Sequence, residues 1–154
     1  MYICKLIIPL ILVSIPMCSM PNGTGSMHKV NHPNGLQLKF PQTLSIEKIA
    51  DGFLIQPSNW QELRSASEII VNLNISQELS KQKWDGSKKI DGKVIYFRVE
   101  EVDGGSGGDI YTLIASKPLL KGYIYLKQTV QAENINQADF SLGWDIIKNA
   151  DFKM

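Results

Sequence analysis

Three long runs rich in Tyr, Ile and Val follow one another with little between them: "KVIYFRVEEV", "DIYTLIASK" and "GYIYLKQTVQA". These residue types suit a pleated, half-buried surface. The links between them are too short for the crossover that parallel neighbours require, so the runs pair antiparallel. With strands over residues 93–102, 109–117 and 122–131 the chain makes a meander, and "DGGSGGD", Asp103 to Asp109, is a hairpin tip. Gly104, Gly105, Gly107 and Gly108 give that tip great backbone freedom at an entropic cost.

Shorter signals extend the sheet. Asp91-Gly92 sits between two β-rich stretches as a tight turn, and Asp51-Gly52 does the same between "LSIEKIA" and "FLIQP". After the turn signal Asn34-Gly35, "LQLKF" alternates apolar and polar residues as a half-buried strand does, and Pro41 ends it. "SEIIVNLNI" is a further strand with Ile69, Val71, Leu73 and Ile75 on one face. The polar segment "SNWQELRSAS", a loop or short helix, carries Trp60 and Arg64.

The period changes near the end of the chain. Asn136 can cap a helix, with Asp139 three residues on as an aspartate variant of the capping box. Phe140, Trp144 and Ile147 then form one apolar stripe, widened by Leu142 and Ile146, while Gly143 weakens the helix. A final β-strand is the competing reading. An antiparallel meander with a C-terminal amphipathic helix packed on one face is an α+β fold.

Residues 1–18, "MYICKLIIPLILVSIPMC", have the make-up of a secretory signal: Lys5, then an apolar stretch too short for a membrane span. Cys4 and Cys18, the only cysteines, both lie here, so no disulfide can form in the rest of the chain. Ile15-Pro16-Met17-Cys18 resembles at Ile15 the box that ends a lipoprotein signal, and departs from it at Pro16 and Met17. Cys18 is therefore a candidate for lipidation, with an ordinary signal cleaved around Ser19 as the alternative. Residues 19–33 are expected to be a flexible tether, and 34–154 a single domain. Without Lys5 the basic and acidic residues balance. That balance offers nothing to nucleic acid or to an anionic membrane surface, and leaves a lipid anchor as the route to a membrane.

Catalytic chemistry is thin. Gly104 to Gly108 satisfies G-x-S-x-G formally, yet a nucleophile elbow needs a strand-to-helix turn and a histidine base. The only histidines, His28 and His32, fall in the expected tether, where nothing holds them. Gly104 to Asp109 also matches one unit of a calcium-binding β-roll, but such units work by stacking. Asp103 and Asp109, with Glu100 and Glu101 nearby, make at most a weak oxygen site for calcium, and Asp beside Gly is ordinary turn chemistry. Glu100 and Glu101 are adjacent in a strand, so they point to opposite faces. Arg98 is expected to pair with a cross-strand acid, and Trp84 and Trp144 to pack. The residues describe an exported binding or inhibitory module and no enzyme.

Several stretches carry a resemblance. "HPNGLQLKFP", "ADGFLIQP", "LRSASEIIVNL", "GGSGGDIYTL", "GYIYLKQTVQAE" and "DFSLGWDII", in that order, resemble the type VI secretion immunity proteins that neutralise a peptidoglycan-cleaving muramidase effector in the periplasm. The likeness runs over about residues 32–150, and the fold is similar to the wider PsbP-like or Mog1-like group. It implies a protein of the periplasm, lipid-anchored to the outer membrane through Cys18, that caps the groove of its cognate effector without a cofactor of its own. Such effectors use calcium, so a metal at the contact would belong chiefly to the partner, near Asp103, Asp109 and Glu133. The groove-filling residues expected here are Asp103, Gly104, Gly105, Ser106, Gly107, Gly108 and Asp109. Gln131, Glu133 and Asn134 on the next loop join them, with Trp60 and Arg64 as anchors. The alternative is a periplasmic accessory lipoprotein binding a small ligand in a sheet pocket lined by Tyr96, Tyr111, Tyr123 and Tyr125.

Overall fold

The computed structural model describes residues 27–57, 68–75 and 84–153. The expected signal over residues 1–18, Cys18, Trp60 and Arg64 lie outside the described residues. Among the described residues, ten strands and one α-helix follow in chain order. They are β1 (Met27–Asn31), β2 (Leu36–Pro41), β3 (Leu44–Ile49), β4 (Gly52–Pro57), β5 (Glu68–Asn74), β6 (Gly86–Ile90), β7 (Lys93–Val102), β8 (Asp109–Pro118), β9 (Tyr123–Ala132), α1 (Ser141–Asn149) and β10 (Asp151–Phe152). The architecture is α+β, mostly antiparallel sheet with one helix near the C-terminus.

Seven strands form one sheet in the order β3-β4-β5-β9-β8-β7-β6, and β1-β2-β10 form a second. Asp91-Gly92 makes the β6–β7 turn with both residues at positive φ, and Asp51-Gly52 joins β3 to β4. Register fixes which residues share a face, because pairing partners point the same way. Val71 pairs with Leu126, Leu126 with Ala115 and Ala115 with Phe97, so one transverse row faces the core. Against that face pack Leu36, Leu38 and Phe40 of β2 and Ile146 and Ile147 of α1. Ile75 falls beyond the end of β5 and is 53% exposed, so only Ile69, Val71 and Leu73 keep the predicted buried face.

Residues 27–33 of the expected tether are built into the fold, while 19–26 lie outside the described residues. Met27 to Asn31 pair with Pro41 to Gln37 as β1, and His32 is buried in the turn that follows. His32 Nε2 donates to the Ile49 carbonyl at 2.9 Å, Nδ1 accepts from the Asn34 amide at 3.3 Å, and the ring meets Phe53 edge-on. A carbonyl only accepts and an amide N–H only donates, which fixes the Nε2–H tautomer. Sequence position alone suggested an unheld histidine; the β3–β4 turn supplies its partners.

The helix begins later than predicted. Asn134 Oδ1 accepts from the Asn136 amide and caps a short 3-10 turn over Ile135–Gln137, so Asn136 is not the helix cap. Asp139 Oδ1 accepts from the Ser141 amide at 2.8 Å, and this bond holds its carboxyl below the ordinary aspartate value. The helix itself has no side-chain cap on its own N-cap residue, Phe140. Gln128 of β9 acts in its place: its Oε1 accepts from the Gly143 amide at 2.9 Å and its Nε2 donates to the Asp139 carbonyl at 3.2 Å. The buried edge of α1 is therefore Gly143, Ile146 and Ile147, continued by Ala150, with Trp144 on the flank against Phe97. Arg98 pairs with Glu100 at 2.9 Å, two residues along its own strand, in place of the expected cross-strand acid.

Candidate functional site

The groove-filling residues expected from the sequence lie where β7 turns into β8 and β9 runs out. Asp109 pairs with Ala132 and Ile110 with Gln131, so the glycine hairpin and the loop after β9 emerge at one end of the sheet. Gln131 Nε2 donates to the Gly108 carbonyl at 3.4 Å and ties the two together. The sequence placed both loops at one edge, and the register agrees.

The hairpin is built more tightly than a free glycine run. Asp103 Oδ1 accepts from the Gly105 amide at 2.8 Å, and a single 3-10 turn follows over Gly105–Gly107. Gly105 and Gly108 lie at φ of 75° and 91°, where side chains other than glycine are strained. A Cβ on Gly104 would stand 2.1 Å from the Gly108 carbonyl oxygen. The glycines thus serve a fixed, closely packed turn, and the conformational freedom inferred from composition is used up inside it. Asp103, Gly105, Ser106, Gly107, Glu133 and Asn134 remain exposed.

Two exposed apolar side chains frame these loops, and sequence reasoning missed them. Val102, 60% exposed, precedes Asp103, and Ile135, 45% exposed, follows Asn134. The signal was available for Val102, which continues the alternation of Arg98 and Glu100 into solvent. The acids near the tip are partly engaged. The Tyr111 hydroxyl lies 3.3 Å from Glu101 Oε1 and 3.5 Å from Asp109 Oδ2, and burial, then those two charges, raise its pKa.

Among the described residues, no group of three or more His, Cys, Asp or Glu is placed to hold a metal. Asp103 Oδ1 accepts from the Gly105 amide, and Asp109 faces the Tyr111 hydroxyl. The suggested tyrosine pocket does not assemble either. Tyr96 and Tyr125 both pair with Ser116 and share its face, as does Tyr123 two residues from Tyr125. Tyr111 pairs with Glu101 and Val130 on the opposite face, and both Tyr111 and Tyr123 are buried. Gly104 to Gly108 turns strand into strand, so the geometry of a nucleophile elbow is absent there.

Comparison with known proteins gives consistent results. A profile of the type six secretion immunity 3 domain, Tsi3, matches residues 37–151. Immune protein Tsi3 of Pseudomonas aeruginosa is 28% identical over 145 residues, 93% of this chain and 96% of the relative. Two solved structures share the fold at low identity. A Bacteroides thetaiotaomicron protein superposes with a TM-score of 0.60 at 13% identity, over 82% of this chain and 48% of its own. The cyanobacterial PsbP of Synechocystis sp. PCC 6803 does so at 0.53 and 12%, over 87% and 96%.

Proposed function

Because the chain belongs to the type six secretion immunity 3 family, we propose that it neutralises a peptidoglycan-cleaving muramidase effector by lodging its glycine pole in the enzyme's groove. The observation that carries this reading is the pairing of Asp109 with Ala132, which brings the Gly104–Gly108 turn and the Gln131–Asn134 loop out together. The turn presents backbone with few side chains in the way, so its N–H and C=O groups can lie against a sugar-binding cleft. Val102 and Ile135 supply apolar contact on either side, and Ser106, Glu133 and Asn134 offer hydrogen bonds.

The protein acts by occupation and breaks no bond itself. A calcium ion at the contact would be carried mainly by the effector, with the exposed Glu133 as the carboxylate of this chain that approaches it. The site of action is the periplasm, where peptidoglycan lies, with the chain held at the outer membrane by lipid on Cys18. Interfaces of this inhibitory type are commonly of standard size and tight.

Ser106→Lys combined with Glu133→Lys tests the reading without burdening the fold, since both residues are exposed. The double variant should lose inhibition of the cognate muramidase by about a hundredfold or more while its melting temperature stays within roughly 2 °C. Undiminished protection of cells by that variant would remove these loops from the contact.

A further inference from the structure

Away from the glycine pole, on a surface that the proposed effector contact leaves free, apolar and cationic side chains lie side by side. Leu120, in the β8–β9 turn, stands wholly in solvent, and Ile75 is half exposed. With Leu119 and Phe152 they rim an apolar hollow of about 480 Å³ that Lys121 and Asp151 also border. Asp151 borders a second, polar hollow of about 180 Å³ together with Lys29, Gln37, Lys39, Asn149 and Lys153. The two hollows meet at Asp151.

The lysines on this surface are arranged against their own stability. Lys29 and Lys39 stand directly opposite each other across β1 and β2, both exposed, and like charges in that position repel. Asp151 pairs with Gln37 on the same face, and Lys153 continues it two residues on. Neither Lys29, Lys39, Lys121 nor Lys153 is in an ion pair among the described residues. Asp151 is the only acid lining either hollow among the described residues. A cationic sheet face beside an exposed leucine has the chemistry of a surface that meets anionic lipid headgroups and dips an apolar tip below them.

We propose that this face rests on an anionic phospholipid bilayer. The start of the described chain supports that occupant over a soluble one. β1, which contributes Lys29 and the half-exposed Met27, begins nine residues after Cys18, a contour of about 30 Å at most. A lipid on Cys18 keeps the face within that reach of the leaflet, so a weak contact suffices at high effective concentration. The ten residues of β8 hold Leu120 about 30 Å from the glycine turn, so insertion of that leucine leaves the glycine pole clear of the bilayer. Charge summed over the chain concealed the cluster, because balance in total does not prevent segregation in space.

The test uses the full chain with Cys18→Ser, exported and recovered from the periplasm, so that acylation cannot contribute. It should sediment with vesicles of equal parts phosphatidylcholine and phosphatidylglycerol, barely with phosphatidylcholine alone, and high salt should release it. Lys29→Glu, Lys39→Glu and Lys153→Glu together should lower the bound fraction about tenfold, and Leu120→Asp severalfold, with unchanged thermal melting. Equal binding to neutral vesicles, undiminished binding by the charge-reversed variant, or a dimer in solution that Leu120→Asp dissolves would overturn the proposal. Inhibition of a muramidase in free solution should be the same for all these variants, which separates a failure here from a failure of the functional reading.

Discussion

Gln128 is a buried amide on a strand whose neighbours on that face are apolar, and its two bonds decide where the helix starts. Removing it would strand the Gly143 N–H in the interior. Gly143 is the other half of the device. A Cβ there would stand 2.2 Å from Gln128 Oε1, and that oxygen cannot withdraw without giving up its bond. Helix propensity alone predicts that Gly143→Ala stabilises by about 1 kcal/mol. The geometry predicts the opposite sign, a loss of about 1–3 kcal/mol in urea unfolding, because the close approach forces overpacking. The sequence marked Gly143 only as a weak helix residue, since the reason for it lies fifteen positions away on β9.

At the scale of elements, the hairpins were legible and the joints were not. Asp51-Gly52, Asp91-Gly92 and the glycine-rich tip each announce a turn between alternating runs, and register then follows from local chemistry. β1 carried no such signal: "MHKVN" sits in a polar stretch, and its pairing depends on β2 offering an edge. The far end of α1 depends on Lys117, which β8 sends through the core to donate to the Ile147, Lys148 and Ala150 carbonyls. That ammonium closes the helix C-terminus as a cap from another element. Burial above all, and then the charge of Lys93, lowers its pKa from 10.5 to about 8. Between those two values the unfolded chain holds the proton that the folded chain has released, so the Lys117 contribution to stability grows with pH across that window. Lys117→Met should cost about 1–3 kcal/mol by orphaning the carbonyls. Its deficit relative to the parent, followed by urea unfolding, should widen from pH 8 to 10.5. A deficit that narrows would reverse the sign of the argument.

Over the whole molecule, two unlike surfaces lie apart: the glycine pole at one end of the longest strands, and Leu120 at their other end with the lysines of the second sheet. The glycine pole offers backbone, hydroxyl, amide and carboxylate groups framed by Val102 and Ile135; the other surface offers lysines and Leu120. Sequence reasoning reached the first pole because turn chemistry is local. It passed over the second because Lys29, Lys39, Leu120 and Lys153 meet only after folding. Function by occupation requires the first pole to disappear into a partner. Hydrogen exchange on the complex with the cognate effector measures that directly. Amides over 103–109 and 131–135 should slow by at least about tenfold on binding, while those of the 119–122 turn keep their free rates. Protection confined to the 119–122 end, with the glycine loop exchanging as in the free protein, would contradict the account.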